Sequence, residues 1–271
     1  MLNEVKKIPA FMMRDLRMLS TYKLAFSMSY LNIIFNLFYF VLFGSVFSAS
    51  GSSVLTPYGG DYISYLLVGS VGWGFLWSIM GTTSGSLRSE MMMGTVESIL
   101  LTKTRMVTMM FSYALYGSFF GLLSIILLVG IGFIFFNVSV FATANIFTLI
   151  IFIFSTAMMF GFGLIFAGLT IWLKNIGAVS SVIQSISMFF CGVYFPLTVL
   201  PEFLRPIAMY IPFYYPIEGL RRSLITTTPS TELITYSCIV LGLAVFFILL
   251  GIYILHKGLI KAKKDGSLMF Y

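Results

Sequence analysis

The chain has 271 residues, 59% of them hydrophobic and 9% charged, with a formal charge of +7. Soluble domains carry roughly a quarter charged residues, a globule of this size cannot enclose so much apolar surface, and a disordered chain needs low hydrophobicity and high charge. Lipid is therefore the solvent for most of the sequence, and at ~20 residues per spanning helix there is room for about six.

The first element in chain order is expected to be an amphipathic helix over 3–20, with a flexible charged tail as the other possibility. Phe11, Met12, Leu16 and Leu19 recur at helical spacing opposite Arg14, Asp15 and Arg17, the pattern of a helix lying in the membrane interface. Basic residues continue to Lys23 and the apolar run that follows is too long for a signal h-region, so this segment is not a cleavable leader. Lys23 to Asp61 then encloses 37 residues without Asp, Glu, Lys or Arg, placing a span at 24–48. Asp61 to Arg88 encloses 26 and places the next at 62–86. Arg105 to Lys174 encloses 68. As one helix that stretch would measure ~100 Å, so it folds back between Asn137 and Asn145 into spans at 107–136 and 146–172. Two more follow at 176–195 and 233–256. The apolar runs do not alternate, which excludes a porin-like barrel. Cys191 and Cys238 fall inside apolar segments and are expected to be buried free thiols.

With the N-terminus inside, 13 of the 16 basic residues fall on the cytoplasmic side and only Arg205, Arg221 and Arg222 on the other. Lysine and arginine are retained in cytoplasmic loops, so both termini are placed in the cytoplasm. The charge of +7 is then a topology signal, and nucleic acid is not needed to explain it.

Two segments depart from a generic membrane protein. The loop 88–102 holds Glu90 and Glu97, the two acids of the cytoplasmic loops. Thr95 is placed to cap a short helix with Glu97 near its start, and Val96, Ile99 and Leu100 would form an apolar face fit for docking a soluble partner; a plain solvated turn is the other possibility. The segment 196–222 holds Pro196, Pro201, Pro206, Pro212 and Pro216 among apolar residues. It is too broken to span and too apolar for an open loop, and irregular backbone at membrane depth needs protein around it. A re-entrant helical hairpin is expected, with Glu218 and Arg222 paired at i,i+4 and Arg221 beside them; an external loop with a surface-lying helix is the other possibility.

Within the spans, Ser70, Gly74 and Ser78 share one face of the second, and Ser180, Gln184 and Ser187, followed by Met188, one face of the fifth. Such residues either glue helices together or line a pathway. No ionisable residue lies deep in a span, which argues against an ion-coupled carrier. A self-sufficient channel or secondary carrier is the alternative to a permease driven from outside.

Glu90, then Gly94-Thr-Val-Glu-Ser-Ile-Leu-Leu-Thr102, resembles the coupling-helix segment of type-2 ABC exporter permeases. Gly192-Val-Tyr-Phe-Pro196 through Pro216-Ile-Glu-Gly-Leu-Arg221 resembles that family's fifth-span exit and re-entrant hairpin. Lys103 stands where the family usually has proline. The resemblance implies an all-α membrane fold of six spans and a single permease domain over 1–271. It implies a second copy of the permease and a separate ATP-binding cassette subunit that holds ATP and magnesium. No G-x-x-x-x-G-K-[S/T] loop occurs in this chain, so no cofactor and no catalysis are expected here. Arg88, Glu90, Gly94, Thr95, Glu97 and Leu100 would dock to the ATPase. The serine-bearing faces of spans two and five would line a pathway for a hydrophobic or amphiphilic cargo: a drug, antibiotic, lipid or lipid-linked glycan. The separate cassette points to a prokaryotic cell membrane.

Overall fold

A computed structural model describes residues 7–21, 61–102, 104–136, 143–174 and 176–264, with Tyr58 and scattered positions between Leu24 and Leu42. The first expected span, 24–48, and residue 103 lie largely or wholly outside the described residues. The helices are α1 (Ile8–Thr21), α2 (Tyr62–Met92), α3 (Val96–Leu101), α4 (Met106–Phe136), α5 (Ile146–Leu173), α6 (Gly177–Phe190), α7 (Arg205–Tyr210), α8 (Tyr214–Ile225) and α9 (Ser230–Lys264). Among the described residues, α2, α4, α5 and α9 are long and apolar enough to cross a bilayer.

Their starts follow local chemistry. The Asp61 carboxylate accepts the Ile63 and Ser64 amides and caps α2. Asn145 and Thr148 form a reciprocal capping box on α5, at the polar break expected there. Both α2 and α9 overrun their expected ends. Leu87, Glu90 and Met91 are buried and carry α2 to Met92. Leu255, Gly258 and Ala262 are buried and carry α9 to Lys264, where its lysines complement the helix dipole.

The fifth expected span is corrected. Helix α6 has 14 residues, short of the ~20 a span requires. It ends at a turn in which Gly192 adopts φ 66°, a left-handed conformation glycine tolerates without strain. A 3-10 turn at Leu197–Val199, α7 and α8 follow. Pro196 precedes the 3-10 turn, Pro206 lies in the first turn of α7, and Pro216 lies in the first turn of α8, where a missing N–H costs nothing.

Glycines set the tightest packing. Helices α5 and α9 run parallel, Gly161 against Phe247 and Ile248, Gly168 against Ile254 and Leu255. A Cβ at Gly161 would fall 2.6 Å from the Ile248 nitrogen, and one at Gly168 2.8 Å from the Leu255 nitrogen. Gly251 and Gly258 face back onto the Gly161 and Gly168 carbonyl oxygens. Helix α4 runs antiparallel to α2, with Gly117 and Gly121 against Ser78 and Phe75. At the core, Trp73, Phe75, Leu76 and Ile79 of α2 meet Met158 and Phe166 of α5 and Phe213 before α8. Cys191 is buried as expected, but Cys238 is exposed, because it lies on a face of α9 that no described helix covers.

Candidate coupling, pathway and exit sites

The first site gathers α1, the end of α2, α3 and the start of α4. Gly94, at φ 69°, turns the chain between α2 and α3. Thr95 occupies the cap position of α3 but makes no side-chain cap. Its hydroxyl instead donates to the Glu90 carboxylate and, at 3.2 Å, to the Glu90 carbonyl. Glu90 is 3% exposed. Arg14 Nη2 stands 2.7 Å from Glu90 Oε1, and the Tyr113 hydroxyl donates to the same oxygen at 3.1 Å. Arg14 also holds Asp15 at 2.7 Å, and Phe11 meets the Tyr113 ring edge-on.

This geometry revises two residues. Asp15, placed by periodicity on the outer face of α1, is buried against the cluster. Burial raises its carboxyl above the ordinary range, and Arg14 only partly offsets this. Burial also opposes the charge on Arg14, but its hydrogen bonds to Asp15 and Tyr113 outweigh that and raise its pKa. Glu90 points inward and presents nothing to a partner below. Arg88, Thr95, Glu97 and Leu100 are half-buried and Gly94 is exposed. The outward rim is apolar: Met92, Met93 and Leu101, the last 83% exposed. Pattern reading missed this rim because methionines and a terminal leucine look like the tail of a span.

The second site is the open side of α2 and α6. The Ser78 hydroxyl donates to the Phe75 carbonyl at 2.7 Å and the Gly117 carbonyl at 3.0 Å, so Ser78 binds α2 to α4. Ser70 donates back to Leu67 at 3.3 Å. On the other side of α2, a Cβ at Gly74, Gly81 or Gly85 would meet nothing within 4 Å. On α6, Ser187 is buried, while Ser180, Gln184 and Met188 are half-buried. The uncovered face carries Ala178, Ser181, Val182, Ser185 and Phe189 instead. The structure thus sorts the expected pathway residues: Gly74 lies on an open face, whereas Ser78 and Ser187 face packed protein.

The third site lies at the opposite end of α2. The expected Glu218–Arg222 pair is present at 2.9 Å, and Arg222 reaches Glu232 at 2.8 Å. Sequence placed Arg221 beside this pair but did not foretell that it is wholly buried. Its guanidinium sits 3.7 Å from the Tyr65 ring centroid, donates to the Gly192 carbonyl at 2.9 Å and pairs with Glu218 at 3.2 Å. The Tyr65 hydroxyl donates to the same Gly192 carbonyl at 2.8 Å, and the Tyr58 hydroxyl to Glu218 at 2.9 Å. A Cβ at Gly69 would strike the Val193 carbonyl and Arg221 Nη2. Pro196 lies just past this node, and Pro201, exposed, opens the turn into α7 through its carbonyl, 2.9 Å from the Leu204 amide.

A family model described as ABC-2 type transporter matches residues 10–225, from α1 through the end of α8. No curated relative matches the chain.

Proposed function

Because this chain belongs to the ABC-2 type transporter family, we propose that it is the permease subunit of an ATP-driven exporter, working as a homodimer beneath which two cassette ATPases close. Membership makes it a membrane transport component. The export direction, the dimer and an amphiphilic cargo go further. The observation that carries the proposal is the α3 knuckle: an apolar rim of Met92, Met93 and Leu101 at and beyond the end of α2, tied through Glu90 to α1, α2 and α4. An exposed apolar surface of this kind marks a protein contact, and its lysine-rich end of the bundle is the cytoplasmic one by the positive-inside rule.

In this proposal ATP and magnesium stay on the partner. Closure of the cassettes pushes α3, and the two permeases rock as rigid bodies. The uncovered faces of α2 and α6, with Gly74, Gly81, Gly85, Ser181 and Ser185, face the second copy and the cargo between them. A cell membrane in a prokaryote fits the separate cassette.

Co-purification tests the proposal. The wild type is expected to bring down a cassette ATPase, and Leu101→Asp to lose it while retaining the wild-type melting temperature. A chain that purifies alone and transports without ATP refutes the permease assignment and favours a self-sufficient carrier.

A further inference from the structure

On α9, Tyr253, His256, Lys257, Ile260, Lys261 and Lys264 are all exposed. Their spacing of three and four puts them on one side of the helix, opposite buried Leu255, Gly258 and Ala262. The Lys261 ammonium stands 5.5 Å from the Trp172 ring of α5, and Lys257 stands 5.6 Å from the Tyr253 ring. Trp172 is itself 45% exposed, and Lys174 follows it at the end of α5. Arg14, Arg221 and Arg222 all have carboxylate partners. Lys174, Lys257, Lys261 and Lys264 have none among the described residues.

The stripe also stands at a definite depth. Helix α9 has 35 residues, so it is ~52 Å long at 1.5 Å per residue, against a hydrocarbon core of ~30 Å. Counted from Ser230, the hydrocarbon is crossed about five turns in, and Lys257 to Lys264 lie at and beyond the headgroups. Tryptophan and tyrosine favour that level, and unpaired ammoniums there need anions.

We propose that this stripe, with Trp172, is a binding site for the phosphate headgroup of an anionic phospholipid in the cytoplasmic leaflet. It rests on the orientation proposed above and on no other part of the transport reading. The ammoniums of Lys257 and Lys261 contact the phosphate, Trp172 lies level with Lys261 beside it, and Tyr253, one turn toward the bilayer, meets the glycerol region.

Bilayers containing brominated phosphatidylglycerol or brominated phosphatidylcholine test it on the full chain with its ATPase. Trp172 quenching is taken as the difference between the wild type and Trp172→Phe. The anionic lipid is expected to be preferred at Trp172 by at least about fivefold, the contribution of one lysine near a charged surface. Lys257→Gln/Lys261→Gln should bring the preference close to one, while Lys261→Arg keeps it. Equal quenching by both lipids in the wild type, or a preference that survives the double variant, overturns the site. An impermeant maleimide on Lys264→Cys reports orientation separately. Labelling only from the cytoplasmic side is required, and labelling from outside overturns the orientation and the leaflet together.

Discussion

Arg14 and Glu90 form an ion pair whose ends sit in different surroundings: the arginine side chain is 43% exposed and the glutamate 4%. The two deletions are therefore unequal. Arg14→Ala strands two buried carboxylates, Glu90 and Asp15, and is expected to cost about 3 kcal/mol, the lower end of what breaking a buried pair costs. Glu90→Gln leaves an arginine that reaches water and an amide oxygen that still accepts from Tyr113, so about 1 kcal/mol is expected. At about 2–4 °C per kcal/mol, thermal melting in detergent separates the two. The double variant gives the sharper test. Once Arg14 is gone, neutralising Glu90 removes a stranded charge, so Arg14→Ala/Glu90→Gln should melt above Arg14→Ala alone. A double variant that melts lower by the sum of the singles would falsify the burial asymmetry.

Asp15, whose carboxyl is raised by burial, favours the fold while protonated. That contribution is complete below its unfolded pKa and is lost as pH rises through the higher folded value. Wild-type melting should therefore fall across that interval and Asp15→Asn should flatten the fall; an unchanged slope refutes it. Gly168→Ala should cost about 1–3 kcal/mol by pushing α5 off α9, whereas Gly242→Ala, whose Cβ meets nothing within 4 Å, should be neutral or gain up to about 1 kcal/mol from helix propensity. Equal melting temperatures for these two would refute the close parallel packing. Gly69→Ala should release Arg221 from the Gly192 carbonyl and lower the melting temperature, and Gly74→Ala should not. Gly81→Leu should leave protomer melting unchanged and alter dimer yield or cargo-stimulated ATPase activity; lowered melting would place that face inside the protomer instead.

What the sequence disclosed was what solvent and chain geometry impose locally. Charge-free runs located α4 and α5 to within a residue, Met106–Phe136 and Ile146–Leu173, because leaving lipid forces charge into the loops. The Glu218–Arg222 pair was legible for the same reason: i,i+4 neighbours on a helix meet whatever surrounds them. Tertiary choices were not legible. Arg221 differs from Arg222 by 100° of helix rotation, which decides between a buried stack on Tyr65 and a half-exposed bridge to Glu232. Glu90 looked like a docking acid because it sits in a charged loop, yet α2 does not stop at the end of its apolar run. The two extra turns carry its carboxylate under α1. The shortness of α6 was hidden by Cys191–Phe195, which reads as span by hydropathy and is a turn because Gly192 takes positive φ under two donors from α2 and α8.

Both polar nodes are anchored on one helix. Tyr65, near the start of α2, holds the exit turn through the Gly192 carbonyl, and Glu90, near its end, holds α1, α3 and α4. The two residues are 25 positions apart, ~38 Å along the axis, and no proline interrupts the helix between them. A helix flanked on its length by the glycine contacts of α4 and the aromatic core of α5 cannot bend cheaply. Displacement of α3 in the proposed permease therefore has one stiff route to the exit turn. Because Gly192 is held by donors from both α2 and α8, that turn moves with α2 or the Tyr65 hydrogen bond breaks. Weakening either node, by Glu90→Gln at one end or Tyr65→Phe at the other, should reduce the coupling of cargo-stimulated to basal ATPase activity by the same mechanism. Equal coupling in wild type, Tyr65→Phe and Glu90→Gln would show that the stroke does not pass along α2.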